Sequence, residues 1–170
     1  MVPCVLERET AVLSTEWIES AGGPLVVIPR SVIAEWKGTP ADYEEACGVA
    51  DYLGLLCREW GDVLVLGDEP LRTAVVARPE GPVIVRWMFA PSAEQLVDVA
   101  LNAKLDELSA VETHCVGLCD EVYSVFDSGA DGSGAVTVEF IPPRGVSLVR
   151  TYVVRDDVKE VGMILHCFWR

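Results

Sequence analysis

Cations are scarce in this chain, and histidine is scarcer still. Thirteen lysines and arginines face 27 aspartates and glutamates, for a formal net charge of −14, and His114 and His166 are the two histidines. Neutralising a phosphate backbone takes clustered Lys and Arg. Here they are few and scattered, which argues against nucleic acid as a partner. No apolar run reaches the roughly 18 residues a membrane helix needs; Leu25–Ile28, and Val83–Val85 with Trp87–Ala90, are strand-sized. Met1–Thr10 carries Glu7 and Glu9 and has no basic stretch leading into an apolar one, so it does not read as a secretory signal. The expectation is a soluble cytoplasmic protein with no membrane partner. Neither phosphate-binding glycine pattern occurs, so Gly22-Gly23-Pro24 and Gly67-Asp68 form no phosphate cradle. The segment Asp127–Gly134 lacks the third-position ligand and closing glutamate of a calcium loop, and reads as a flexible hairpin loop. No cofactor is expected.

What is present is enough for a folded core. Apolar residues make up 51% of the 170 positions, which suits one domain over residues 1–170. The six cysteines (Cys4, Cys47, Cys57, Cys115, Cys119 and Cys167) sit mostly in apolar company and read as free, buried side chains. Leu25–Ile28, Val63–Leu66, Thr73–Ala77 and Val83–Phe89 read as strands, with Val83, Val85, Trp87 and Phe89 on one face by alternation. Trp17 and Trp87 are assigned to the core. Ser31 is placed as the cap of a short helix through Trp36, and Asp42 as the cap of a second with Tyr43, Ala46, Cys47 and Ala50 on its apolar side. Ser92 with Gln95 opens a third helix reaching Leu108, its stripe being Val97, Leu101, Leu105 and Leu108, opposite a solvated column of Glu94, Asp98, Asn102 and Asp106. Glu121–Phe126, Ala135–Ile141, Val146–Arg155 and Val161–Trp169 then follow as strands with short connections, an antiparallel meander. The fold class is α+β: mostly antiparallel sheet with that C-terminal meander, and two or three helices packed against it.

Charge concentrates in the middle of the chain. Between Glu35 and Glu69 lie nine carboxylates and two cations, Lys37 and Arg58, a net of −7 and half of the total. Such a surface attracts cationic partners. Trp36, Tyr43, Tyr52 and Trp60 are interleaved with it, and aromatic anchors among charges are what protein interfaces use. The partner-facing residues are therefore placed at Glu44, Glu45, Asp51, Asp62, Asp68 and Glu69. The plainer alternative is that these carboxylates only keep the protein in solution, with Asp51 and Asp68 serving turns. Chemistry has weaker candidates. His114-Cys115, Cys119 and His166-Cys167 supply zinc-type ligands or a Cys115/His166 dyad, but no second Cys-x2-Cys half exists and His166 and Cys167 point to opposite faces of a strand. Paired carboxylates Glu44/Glu45 and Asp68/Glu69 arise readily from so acidic a composition. No catalytic residue is assigned.

One resemblance bears on function. Trp17-Ile-Glu-Ser-Ala-Gly-Gly-Pro24-Leu-Val-Val-Ile-Pro29, Asp42-Tyr43-x3-Cys47, Asp51-Tyr52-Leu-Gly54 and Val65-Leu-Gly67-Asp68-Glu69-Pro70 occur in that order. Together with Val85-Arg86-Trp87 and the helix after Ser92, they resemble the immunity protein 21 family from Trp17 to Leu108, with a looser match beyond. The resemblance implies a small α+β protein of bacterial polymorphic toxin systems that binds and neutralises a cognate toxin domain without catalysis. It supplies no contact residues, so the acidic surface is placed by charge alone, with a basic toxin domain as the expected partner. The alternatives at this point are a small enzyme or metal module around Cys115, Cys119 and His166, and a generic cytoplasmic interaction domain. Oligomeric state is open.

Overall fold

The computed structural model describes residues 15–170; the expectations for Met1–Thr10 and for Cys4 lie outside the described residues. Strands β1 (Trp17–Ile18), β2 (Leu25–Pro29), β3 (Gly54–Arg58), β4 (Gly61–Leu66), β5 (Thr73–Arg78), β6 (Gly81–Phe89), β7 (Glu112–Cys115), β8 (Tyr123–Asp127), β9 (Val138–Phe140), β10 (Leu148–Asp156) and β11 (Val161–Trp169) are joined by helices α1 (Ala41–Cys47) and α2 (Ala93–Asn102). Two 3-10 turns, Arg30–Glu35 and Leu105–Glu107, complete the elements. The strands form a six-stranded sheet in the order β1-β5-β6-β11-β10-β7 and a five-stranded sheet in the order β3-β4-β2-β8-β9. Every pairing is antiparallel, and the fold is α+β.

Three layers follow from side-chain alternation. Ile84, Val149 and Phe168 of the six-stranded sheet join Leu25, Val27, Leu64, Val125 and Phe140 of the five-stranded sheet in one apolar cluster. Phe140 and Phe168 meet across it with ring centroids 5.2 Å apart. The opposite face of the six-stranded sheet puts Val83, Val85, Met163, Leu165 and Cys167 against α2. His166 and Cys167 do therefore face opposite ways. At its start α2 follows the expected cap, with Ser92 Oγ accepting from the Gln95 N–H at 3.2 Å. It ends at Asn102 rather than Leu108, because Arg78 Nη1 and Nη2 donate to the carbonyls of Ala100 (2.6 Å) and Ala103 (2.8 Å) and close the helix there. Its buried residues are Leu96, Val99 and Ala100; Val97 and Leu105 are half-buried, and Leu101 and Leu108 are 41% and 38% exposed. The apolar stripe is rotated from the leucine column the sequence suggested, while Glu94, Asp98, Asn102 and Asp106 are solvent-exposed as expected.

Other local expectations are corrected. Neither Ser31 nor Asp42 caps a helix. Asp42 instead accepts from the Lys37 N–H at 2.7 Å and pairs with Arg58 at 3.3 Å, and α1 stops at Cys47 because Gly48 already closes it. The C-terminal strands are antiparallel hairpins, but β8–β9 belongs to the five-stranded sheet and β10–β11 to the other. Asp127–Gly134 is held rather than loose. Asp127 accepts from the Ala21 and Gly129 N–H groups, Gly132 N–H donates to Trp36 O at 3.0 Å, and a Cβ on Gly132 would lie 1.9 Å from Ile33 O. Among the described cysteines Cys167 is buried; Cys47, Cys57, Cys115 and Cys119 are free but exposed. Cys57 and Cys115 sit on the edge strands β3 and β7, which explains their access to solvent. Trp17 and Trp87 are only half-buried, meeting edge to face at 5.3 Å with the Arg72 guanidinium over both rings.

Candidate functional site

Two loops come together where β3 begins and β4 ends. Gly67 N–H donates to Tyr52 O at 3.1 Å, and Val49 packs on both Gly54 and Gly67. A Cβ at Gly67 would stand 2.3 Å from Asp51 O, so this approach requires glycine. Asp68 follows with φ of 65°, a left-handed conformation that aspartate tolerates better than most residues.

Both loops are gripped from beneath by Arg86 of β6. This side chain is 1% exposed although it stands in an otherwise apolar strand. Alternation turns Ile84 and Arg86 toward the five-stranded sheet. Arg86 Nη1 donates to Tyr52 O at 3.0 Å, and Nη2 donates to the carbonyls of Gly67 and Glu69, each at 2.6 Å. Burial lowers Arg86 to about 10, opposed by the charges of Asp68, Glu112 and Glu69. Glu112 of β7 supplies the complementary grip, its two carboxylate oxygens accepting from the N–H groups of Tyr52 (2.9 Å) and Leu53 (3.0 Å). His114 Nε2 lies 3.7 Å from Glu112. His166, fully buried, shares its Nδ1 with the Thr151 hydroxyl at 2.9 Å; burial, then Arg86 and His114, hold it well below the ordinary histidine range.

The expected docking residues separate into three groups. Asp51, Asp68 and Glu69 are exposed on the paired loops. Glu44 and Glu45 are exposed on α1, whose exit through Val49 leads to those loops, and Glu45 is paired with Arg58 at 2.9 Å. Asp62 is half-buried opposite Cys57 in the β3–β4 hairpin. Alternation points Asp62 to the face away from Arg58 and α1, and its carboxylate raises the Cys57 thiol by accepting its hydrogen bond. Of the aromatic anchors, Tyr43, Tyr52 and Trp60 are half-buried. Trp36 is wholly buried, donating from Nε1 to Ser128 O at 2.9 Å, because the Asp127–Gly134 loop closes over it. It is a core residue and not an anchor.

Cys115, Cys119 and His166 do not converge. His166 lies between the sheets with Thr151, whereas alternation turns Cys115 away from Glu112 and His114 toward solvent. Cys119 is also exposed, its N–H donating to the Tyr123 hydroxyl at 2.8 Å. Among the described residues no group of three or more His, Cys, Asp or Glu side chains could hold a metal ion. A cleft of about 830 Å³ opens beside the end of α2, lined by Leu101, Lys104, Leu105, Phe168 and Trp169. Its Arg78 is occupied with helix carbonyls, and burial raises its Cys167 thiol to about 12, far from a reactive thiolate.

Arg86 and Glu112 are the residues that sequence reasoning missed. A lone arginine inside Val83–Phe89 was the available signal for the first; Glu112, in a short polar strand, carried none.

No curated protein and no solved structure matches this chain. A family model described as Immunity protein 21 matches residues 16–155, which takes in both acidic loops, Arg86 and Glu112. The chain belongs to the Immunity protein 21 family.

Proposed function

We propose that this protein is an antidote that binds a cognate toxin domain in a stoichiometric complex and neutralises it by occupying its surface, without turnover. Residues 1–170 act as one domain in the cytoplasm, with neither nucleic acid nor membrane as partner. The observation that carries the reading is a set of exposed carboxylates with fixed backbones. Among the described residues, Glu44, Asp51, Asp68 and Glu69 have no cation within ion-pair distance, whereas Asp42 and Glu45 are engaged by Arg58. Charges left unmatched on the folded chain are available to a basic partner, and toxins that act on nucleic acids are basic for the sake of their substrate. Asp51, Asp68 and Glu69 form the centre of the docking face, with Glu44 and Glu45 flanking it. Asp62 belongs to its far margin. Steering by such charges raises the association rate and fades with salt, so affinity comes from half-buried anchors such as Tyr43 and Tyr52.

Co-expression with toxin domains encoded beside the gene tests the class: growth is restored by the cognate pair, which copurifies at one to one. Glu44→Lys with Glu69→Lys slows association about three- to tenfold at low salt, and by less at high salt. Unchanged association with intact folding would move the interface elsewhere, and failure of every neighbouring toxin to be neutralised would end the reading.

A further inference from the structure

The loops that carry Asp51, Asp68 and Glu69 are held by two side chains of opposite charge, the buried Arg86 and the half-buried Glu112, and the pattern of bonds is specific. The Tyr52 peptide is fixed at both ends: its N–H by Glu112 and its carbonyl by Arg86. Asp51 is the residue immediately before it. Asp68 sits between the two residues, Gly67 and Glu69, whose carbonyls share Arg86 Nη2. Each exposed carboxylate therefore belongs to a bonded residue or to its immediate neighbour. Both grips come from the six-stranded sheet, on β6 and β7, while the loops flank the β3–β4 hairpin of the other sheet.

A tie between two sheets does not need ions. Apolar side chains of similar volume join layers at least as well as a buried charge does. The Arg86 guanidinium meets backbone carbonyls, with no carboxylate within ion-pair distance among the described residues. Its geometry serves loop shape. A fixed loop also serves docking, because pre-ordered charges and anchors spare the ordering cost that a mobile loop incurs on binding.

Resting on the docking function proposed above, we infer that Arg86 and Glu112 are positioning residues of the binding face, setting the spacing and direction of Asp51, Asp68 and Glu69 from below. Arg86→Lys offers one compact ammonium in place of the planar fork and cannot reach all three carbonyls together. Glu112→Gln keeps the shape but leaves one amide N–H of the Tyr52–Leu53 pair without its acceptor.

The experiment combines hydrogen exchange on the free protein with binding kinetics, using the toxin domain identified by growth rescue. Expected in both variants is roughly tenfold faster exchange at Tyr52, Leu53 and Gly67, with protection in β10 and β11 unaltered. Arg86→Lys also gives about tenfold faster dissociation of the complex. In an Asp68→Asn, Glu69→Gln background that effect shrinks to twofold or less, the signature of coupling between the grip and the carboxylates. Protection lost evenly over the whole molecule, or effects that simply add in the cycle, would overturn the inference and leave the pair a structural role. Should Arg86→Lys fail to fold, Glu112→Gln carries the same cycle. Wild-type protein that binds no toxin domain, with the exchange change still local, would refute the docking function and this inference with it. Intact binding without any local exchange change would refute the inference alone.

Discussion

Replacing Arg86 by methionine removes the guanidinium while keeping most of the apolar stem. Three short hydrogen bonds are lost, to Tyr52 O at 3.0 Å and to Gly67 O and Glu69 O at 2.6 Å. Bonds to a charged group contribute about 1.5–3 kcal/mol each, so the gross loss is roughly 6 kcal/mol. Against it stands the cost of keeping a cation out of water. The fall from the ordinary 12.5 to about 10 corresponds to about 3 kcal/mol that the variant no longer bears. The expected net loss is about 3 kcal/mol, which for a chain of this length lowers Tm by roughly 6–12 °C. Urea unfolding followed by tryptophan fluorescence reads the change directly, with the midpoint shifted and the slope unchanged. A loss under about 1 kcal/mol would mean that water satisfies the three carbonyls as well as Arg86 does, and the account of the loops would fail.

Two further outcomes follow from burial. His166 is neutral in the folded protein, facing Arg86, His114 and Thr151, with Glu112 across from Thr151 on β7, and its folded pKa lies below the unfolded value. The unfolded chain therefore takes up the extra proton first, so stability is full above about pH 6.5 and falls as pH drops, by up to about 1.4 kcal/mol per pH unit. His166→Gln removes that slope between pH 5 and 7 in urea titrations; an unchanged slope would exclude His166 as its source. On α2, Leu96→Ala costs about 3 kcal/mol, because Leu96 is fully buried, whereas Leu101→Ala, at a residue 41% exposed, costs under about 1 kcal/mol. Equal losses at the two positions would contradict the observed phase of the helix.

Period-two patterns and turn residues made much of the sheet legible: β2, β5, β6, β10 and β11 fall where alternation or an apolar run announced them. β3 and β7 did not, because Gly54-Leu-Leu-Cys-Arg58 has no β-branched residue and Glu112-Thr-His-Cys115 is short and mostly polar. The division into two sheets was out of reach for a different reason. β2 takes β8 as one neighbour and β4 as the other, and no local pattern encodes which distant strand a buried edge will choose. The stripe on α2 was misjudged because Leu101 and Leu108 continued a visible column; Arg78, distant in sequence, ends the helix before that column matters. For the proposed docking face, composition pointed to the acidic stretch and turn chemistry to its loops. What holds those loops was hinted at only by the lone arginine in an apolar strand, since Arg86 and Glu112 act through backbone atoms that any residues would provide.

The match to the family spans residues 16–155, yet β11 runs from Val161 to Trp169 and separates β6 from β10 at the heart of the six-stranded sheet. A polypeptide trimmed to the shared stretch would break that sheet into β1-β5-β6 on one side and β10-β7 on the other, and α2 would lose part of its bed. Arg86 and Glu112 would then ride on separate pieces. The stretch that the family model matches is thus a signature rather than a self-sufficient folding unit, and truncations meant to keep the fold must run through Trp169.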